Sequence, residues 1–213
     1  PAALGILQGV ALENNYKTEV LDFNMHLYNT LSVTEWEELD NWNIFLRDNI
    51  SVALKNKILQ SWDTELNKRM PDDCDYLVIS LFSYWSLYIG RLIIEHENKK
   101  SRTYQLVVGG NGVSSKFPDT DLYVEQWNKQ NNFIEHLILG EGEKPLAKLF
   151  GQATAEYDDQ NLDTFPFPSY IGFDFNDYKE NKVYITGSRG CVRRCTFCDI
   201  QNIWPQFRYR SAK

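Results

Sequence analysis

The sequence predicts a mixed α/β fold in which helices cover a doubly wound, parallel sheet. Short apolar runs alternate with longer amphipathic runs along the chain, which is the pattern of strand and helix units. Glycine-rich stretches at 109–112 and 140–142 follow two of the apolar runs, as expected where a strand turns towards a helix. With 213 residues, of which 43% are hydrophobic, the chain can bury a substantial core.

The predicted elements begin with a helix over residues 2–14 and continue as strands separated by helices. The apolar runs predicted as strands are 18–23, 76–81, 104–108 and 133–139. Helical spacing of apolar residues predicts further helices around 85–93 and 145–150, the second with a proline in its first turn.

The connection between the first two predicted strands is unusually long and has a helical pattern over residues 30–70. Its apolar stripe could line a cofactor pocket, but core packing is the commoner explanation, and we assign it to the core. The stripe consists of Trp36, Leu39, Trp42, Phe45 and Leu46, followed by Val52, Leu54, Ile58 and Leu59.

Charge and composition exclude several classes of function. The formal net charge is −7, which argues against broad electrostatic binding to nucleic acid or to an anionic membrane surface. No apolar run approaches the roughly 20 residues that a membrane span needs, and no secretory signal is visible. These features predict a cytoplasmic protein without a membrane partner.

Three of the four cysteines, Cys191, Cys195 and Cys198, are clustered with the spacing C-x3-C-x2-C. In a reduced compartment, clustered thiols usually hold zinc or an iron–sulfur cluster. A structural zinc site needs a fourth ligand, and every histidine lies far upstream. A [4Fe–4S] cluster with three thiolates instead leaves one iron open to a ligand. Both metals remain possible from the spacing, and Cys74 is interpreted as a buried small apolar residue.

Residues 184–198, YITGSRGCVRRCTFC, resemble the opening of the core of a radical S-adenosylmethionine (SAM) enzyme. This resemblance implies a [4Fe–4S] cluster held by Cys191, Cys195 and Cys198, with Phe197 packed beside it. It also implies that the open iron chelates SAM, and that an external one-electron reductant drives cleavage to methionine and a 5′-deoxyadenosyl radical. Val192 departs from the proline that many members have, at a spacer position in the loop.

Upstream segments, taken in their order, resemble a cobalamin-binding domain. They are PAALGIL (1–7), LDFN (21–24), VISLFS (78–83), VVGG (107–110) and GEGE (140–143), with LDTFPFPSY (162–170) similar to the linker that follows such a domain. The resemblance implies cobalamin along the carboxyl ends of the strands. The implied cofactor-binding residues are Ser80, Gly109, Gly110, Gly140 and Glu141.

Three observations from the residues limit this cobalamin prediction. The glycines could serve only as tight turns, and this alternative has about equal weight from the residues alone. Neither glycine loop is a phosphate loop or a dinucleotide fingerprint. The motif Asp-x-His-x-x-Gly is absent around Asp22 and His26, so the resemblance implies a corrinoid without a histidine ligand.

The sequence therefore predicts three regions: a cobalamin-binding-like Rossmann domain over 1–157 that lacks its first strand, a linker over 158–181, and the first βα unit of a truncated radical SAM partial TIM barrel over 182–213. The leading hypothesis is the N-terminal part of a cobalamin-dependent radical SAM enzyme, inactive as this fragment alone, for methyl transfer or a related radical reaction. The substrate, a small molecule or a peptide, and the catalytic residues are unassigned. Alternatives are a radical SAM enzyme without cobalamin and a non-enzymatic, zinc-stabilised binding module.

Overall fold

A three-stranded parallel sheet lies at the centre of the computed structural model, which describes residues 2–40, 50–82, 84–113, 124–151, 157–198 and 200–212. The strands are Tyr76–Ser80 (β1), Gln105–Gly109 (β2) and His136–Leu137 (β3), in the spatial order β1-β2-β3. Ser80 pairs with Gly109 in register, and Val108 pairs with Leu137. Because all three strands run the same way, the loops that follow them meet at one edge of the sheet.

Helices and a short second sheet complete the described residues. The helices are Ala2–Glu13 (α1), Phe23–Thr30 (α2), Val33–Asp40 (α3), Val52–Arg69 (α4), Tyr84–Glu97 (α5), Val124–Asn131 (α6), Glu143–Leu149 (α7) and Ile200–Ile203 (α8). Ser188–Arg189 (β4) pairs antiparallel with Arg208–Tyr209 (β5). Short 3₁₀ turns occupy Asn111–Val113, Leu162–Thr164 and Phe175–Asp177. Among the described residues, no helix combines the length and the apolar character needed to cross a membrane.

Helices pack on both faces of the sheet. In β2, Leu106 and Val108 belong to an apolar cluster formed with α5 and α6, whereas Val107 belongs to a cluster formed with α1 and α7. This alternation follows from the strand backbone, which directs successive side chains to opposite faces. All three residues are fully buried, as expected for the central strand of a covered parallel sheet. A third apolar cluster joins α2, α3, α4 and α5 beside the sheet.

Local signals in the sequence explain where two of the helices begin. The Asp22 carboxylate accepts a hydrogen bond from the backbone N–H of Met25 at 3.1 Å, which caps α2. Ser51 caps α4 in the same way, since its hydroxyl accepts from the backbone N–H of Leu54 at 3.1 Å. Lys68 and Arg69 occupy the last turn of α4, where positive charge favours the helix dipole.

Most of the predicted elements are confirmed, although some bounds differ. The predicted strands 76–81 and 104–108 correspond to β1 and β2, while only two residues of the predicted strand 133–139 form β3. The prediction of a strand over 18–23 is wrong: residues 16–22 form no strand, and Phe23 already begins α2. No strand pairs with this segment in the described part of the chain, and the Asp22 carboxylate serves as a helix cap instead.

The long helical connection is confirmed as α3 and α4, and its apolar stripe packs largely as predicted. Leu39, Leu54 and Ile58 are buried in one apolar cluster, and Trp36 and Leu59 pack against it. Val52 is an exception, because the first residue of α4 is exposed. Trp42, Phe45 and Leu46 lie outside the described residues.

The segment predicted as a linker, 158–181, packs closely on α1. The backbone N–H of Ser169 donates to the carbonyl oxygen of Gly5 at 2.8 Å. A Cβ atom at Gly9 would collide with the carbonyl oxygen of Phe167, so the two backbones are in direct contact there. Phe165 is buried in the apolar cluster that contains residues of α1 and α7. Residues 162–169 of this segment therefore form part of the packed α/β structure.

Candidate functional site

The structure brings the predicted cofactor-binding residues of the upstream region together at the carboxyl edge of the sheet. Ser80 ends β1 beside Gly109, which ends β2. The backbone N–H of Leu81 donates to the carbonyl oxygen of Gly109 at 2.8 Å. Gly140 and Glu141 follow β3 at the same edge. The predicted convergence of these loops is therefore confirmed, whereas ligand binding there stays a prediction.

Gly110 is required by the turn itself. Its φ angle is +104°, a conformation that side chains with a Cβ atom disfavour. A Cβ atom there would lie 2.5 Å from the carbonyl oxygen of Leu81 and 2.9 Å from its nitrogen. The loop is closed by the backbone N–H of Gly112, which donates to the Leu81 carbonyl at 2.8 Å. At Gly110 the tight-turn interpretation accounts for the glycine without a ligand.

Gly140 has different surroundings, which leave room for a ligand. Its φ angle is +83°, and a Cβ atom there would meet no atom of the described residues within 4 Å. Two exposed apolar side chains follow the two outer strands of the sheet at this edge: Phe82 after β1, which is 68% exposed, and Leu139 after β3, just before Gly140. The edge therefore presents an open glycine loop and apolar side chains to solvent.

Glu141 forms ion pairs within the protein, which the sequence did not predict. Its carboxylate lies 2.5 Å from Nη1 of Arg189 and also binds the guanidinium of Arg208. Arg189 uses its other terminal nitrogen to bind Glu143, the first residue of α7. Burial lowers the pKa of Arg189, but the hydrogen bonds and charges of Glu143 and Glu141 outweigh this effect and raise it.

The cysteine loop follows directly from Arg189. Gly190 has a φ angle of +79°, and a Cβ atom there would collide with the carbonyl oxygen of Gln206, so the chain turns sharply before Cys191. The Gln201 amide of α8 donates to the carbonyl oxygens of Cys191, at 2.6 Å, and Arg193, at 3.0 Å. These contacts join the loop to the helix that follows it.

The three clustered thiols are free, and each is exposed or half-buried. The backbone N–H of Arg193 donates to Sγ of Cys191 at 3.4 Å, and the N–H of Cys198 donates to the carbonyl oxygen of Cys195 at 3.1 Å. Hydrogen bonds from backbone N–H groups to cysteine sulfurs tune the potential of iron–sulfur clusters. The chemistry of this donor set fits thiolate ligation.

The geometry of the thiols is not that of a preformed site for one ion. Sulfurs that bind one tetrahedral zinc at 2.3 Å lie about 3.8 Å apart. Among the described residues, only Asp63, His96 and Glu97 form a group of three metal-ligand side chains whose atoms all lie within 4.8 Å of one another. The three cysteines therefore do not meet this spacing. In a [4Fe–4S] cluster each thiolate binds a different iron, so the sulfurs need not be so close.

Phe197 and Cys74, which the sequence analysis also singled out, do not lie at the carboxyl edge of the sheet. Phe197 is 89% exposed in the cysteine loop, so packing against a cluster stays a prediction. Cys74 precedes β1, at the opposite edge of the sheet from Glu141, and its thiol donates to the carbonyl oxygen of Tyr76 at 3.4 Å. Burial raises the pKa of the Cys74 thiol, as expected for a thiol packed against the core.

In the group formed by Asp63, His96 and Glu97, the ammonium group of Lys100 binds the two carboxylates in place of a metal ion. Nζ of Lys100 lies 2.5 Å from Asp63 and 2.6 Å from Glu97. Glu97, which is fully buried, also accepts a hydrogen bond from the Trp62 indole at 2.6 Å. Each carboxylate therefore has a partner, and the cluster joins α4 to α5.

Comparison with known proteins adds no assignment: no family model matches the chain, and neither the curated proteins nor the solved structures give a significant match. The structure defines a mixed α/β protein with a three-stranded parallel sheet. Ion pairs of Arg189 with Glu141 and Glu143 join the cysteine loop to the carboxyl edge of that sheet.

Proposed function

We propose that this chain is part of a radical SAM enzyme that holds a [4Fe–4S] cluster and cobalamin, and that generates a 5′-deoxyadenosyl radical for methyl transfer or a related reaction. The observation that carries this proposal is the cysteine spacing, C-x3-C-x2-C, directly after the Arg189-Gly190 turn. Three thiolates leave one iron of a [4Fe–4S] cluster available for SAM.

Features of the cysteine loop support the cluster. Its thiols are free and reachable from solvent, and a backbone N–H points at Cys191 Sγ. The described thiols are not gathered within 4.8 Å of one another, so the choice of a cluster over zinc rests on their spacing in the sequence. In this proposal Cys191, Cys195 and Cys198 would hold the cluster, which would pass one electron from an external reductant to SAM.

The cobalamin part of the proposal rests on the carboxyl edge of the parallel sheet, the edge at which open α/β sheets bind ligands. Gly140 gives a ligand access to the backbone there, and Phe82 and Leu139 offer apolar surface to a large cofactor. Ser80 and Gly109 line the same edge. Gly110 is explained by its turn, so we base the cobalamin test on Gly140 instead.

Anaerobic reconstitution with iron and sulfide tests the cluster. We expect about four irons per chain and the absorption of a [4Fe–4S] cluster, because three thiolates suffice to hold it. Cys198→Ala should lose most of this iron, while Cys74→Ala serves as the control and should retain it. One tightly bound zinc in a colourless protein would instead support the zinc-stabilised binding module.

Spectral titration with hydroxocobalamin tests the second cofactor. Gly140→Asn should weaken binding, since asparagine tolerates a positive φ and adds a side chain at the open edge. Gly151→Asn is the matched control: Gly151 also has a positive φ, and a Cβ atom there would meet no described residue within 4 Å, but it follows the far end of α7. An iron-loaded protein that gives no spectral change would support the alternative, a radical SAM enzyme without cobalamin.

A further inference from the structure

A group of four charged residues joins the cysteine loop to the sheet edge: the buried Arg189 and the partly buried Arg208 from the short β4–β5 pair, the partly exposed Glu141 from the loop after β3, and the buried Glu143 at the start of α7. We call these residues the arginine–glutamate clamp. We propose that Arg189 is a positioning residue, which holds the cysteine loop in the orientation that metal assembly needs. This inference rests on the proposed function for the identity of the metal, but the clamp itself is defined by the geometry alone.

The geometry of Arg189 suits this role. Its guanidinium bridges two carboxylates, binding Glu141 with Nη1 at 2.5 Å and Glu143 with Nη2. The side chains of Arg189 and Glu143 are only 8% and 5% exposed. A planar guanidinium can hold two carboxylates in a fixed direction, which the compact ammonium of lysine cannot do equally well.

The rest of the β4–β5 pair is held in the same orientation. Arg208 binds Glu141 and donates to the carbonyl oxygen of Asp159 at 2.6 Å. Arg210 donates to the carbonyl oxygens of Phe165 and Pro166, both at 2.9 Å. The strands on both sides of the cysteine loop are therefore anchored to the α/β structure, and Arg189 is the anchor nearest to Cys191.

Position along the chain connects the clamp to the thiols. Only Gly190 separates Arg189 from Cys191, and the turn at Gly190 packs against the backbone of Gln206. The direction in which Cys191 leaves β4 thus depends on where the Arg189 side chain is held. Loss of Arg189 would also leave Glu143 buried without this partner, which favours movement of the whole loop away from the sheet.

A matched control is available at the other edge of the sheet. Arg102 makes a two-point ion pair with Glu135, at 2.7 and 3.0 Å, and is also mostly buried. It lies before β2, at the opposite end of the sheet from the clamp. Arg102→Met therefore removes a similar arginine without touching the cysteine loop.

The experiment compares wild-type protein with Arg189→Met, Arg189→Lys and Arg102→Met by two measurements. The first is backbone hydrogen exchange of residues 187–211 in metal-free protein. The second is iron content after reconstitution, with the electron paramagnetic resonance spectrum of the reduced cluster. Arg189→Met should speed exchange in this segment and weaken iron retention by about tenfold, as is typical when a residue supporting metal ligands is lost. Arg189→Lys should give exchange rates and iron retention between those of Arg189→Met and wild type. Arg102→Met should match wild type in both measurements.

The outcomes separate this inference from the proposed function. If wild type assembles the cluster and Arg189→Met retains iron and spectrum as well as Arg102→Met does, Arg189 is not a positioning residue. If Arg189→Met does not fold, Arg189→Lys provides the test. Hydrogen exchange and iron retention at the wild-type level in Arg189→Lys would also show that Arg189 is not a positioning residue. If wild type takes up no iron, the proposed function fails and the metal role of Arg189 fails with it, while hydrogen exchange still reports whether the clamp holds the loop.

Discussion

Replacing Gly110 and Gly140 separately by alanine distinguishes a glycine that the fold requires from one that leaves space at the site. Both have a positive φ angle, +104° and +83°, so alanine should introduce backbone strain at each. That strain is worth about 1–2 kcal/mol per residue for an L-amino acid. The reduced freedom of the unfolded chain offsets roughly 0.4–1 kcal/mol of it at both positions.

Of the two substitutions, only Gly110→Ala would also bring the new Cβ atom into collision with a backbone that is held in place. Its Cβ atom would lie 2.5 Å from the Leu81 carbonyl oxygen, and the Leu81 backbone is held in place by hydrogen bonds to Gly109 and Gly112. Overpacking of this kind typically costs about 1–3 kcal/mol. Gly110→Ala should therefore lower the free energy of unfolding by about 2–4 kcal/mol, against about 1 kcal/mol for Gly140→Ala.

Urea unfolding followed by tryptophan fluorescence and by circular dichroism measures this difference, because buried tryptophans such as Trp62 and Trp127 lie in separate apolar clusters. Coincident transitions by the two probes would justify comparing free energies. Equal losses for the two variants would refute the reasoning, since the Leu81 contact would then have no energetic consequence. A larger loss for Gly140→Ala would refute the assignment of Gly140 as the open position.

Three further changes test other parts of the structure. Gly9→Ala should lower the free energy of unfolding in urea by about 1–3 kcal/mol, because the new Cβ would meet the Phe167 carbonyl oxygen. This loss should exceed the gain from the higher helix propensity of alanine. An increase in stability would show that this backbone contact is absent in solution. Ile94→Ala should lower the free energy of unfolding by about 2–5 kcal/mol, because Ile94 is fully buried. Val33→Ala, at an exposed position, is the control, and similar losses in the two variants would contradict the assigned core. Hydrogen bonds from Lys68, and to a smaller extent from Arg69, lower the pKa of Glu65 from 4.5 to about 2. The ionised Glu65 carboxylate therefore stabilises the folded protein above about pH 4.5, and this contribution is lost as the pH falls towards 2. Glu65→Gln should remove this contribution, which we put at about 1 kcal/mol because the lysine partner is exposed, and an unchanged slope of unfolding free energy between pH 5 and 2 would contradict it.

The sequence predicted the central part of the fold because burial on both faces leaves a direct pattern. The runs that became β1 and β2 are short and apolar, and the register places Ser80 beside Gly109 as parallel strands require. The run at 18–23 looks similar in composition, yet a strand also needs a neighbour to share its backbone hydrogen bonds. Sequence pattern reports side-chain burial, and it does not report which segments lie side by side.

The same limit explains which parts of the candidate site could be predicted. The cysteines stand within eight residues of one another, so their spacing is readable, and the loops after parallel strands converge by geometry. Arg189 and Glu143 are 46 residues apart, and each is an ordinary charged residue until folding brings them together. Glu141 was predicted to bind a cofactor, whereas the structure pairs it with two arginines.

The loop after β3 therefore has two faces with separable roles. Gly140 turns through a positive φ into open space, while Glu141 and Glu143 hold the arginines that anchor the cysteine loop. A change at Glu141 would disturb both the sheet edge and the cysteine loop, so loss of cobalamin binding in such a variant would not identify a ligand contact. Gly140→Asn alters only the open face. If it weakens hydroxocobalamin binding while iron content stays at the wild-type level, the two cofactors use different sides of one loop.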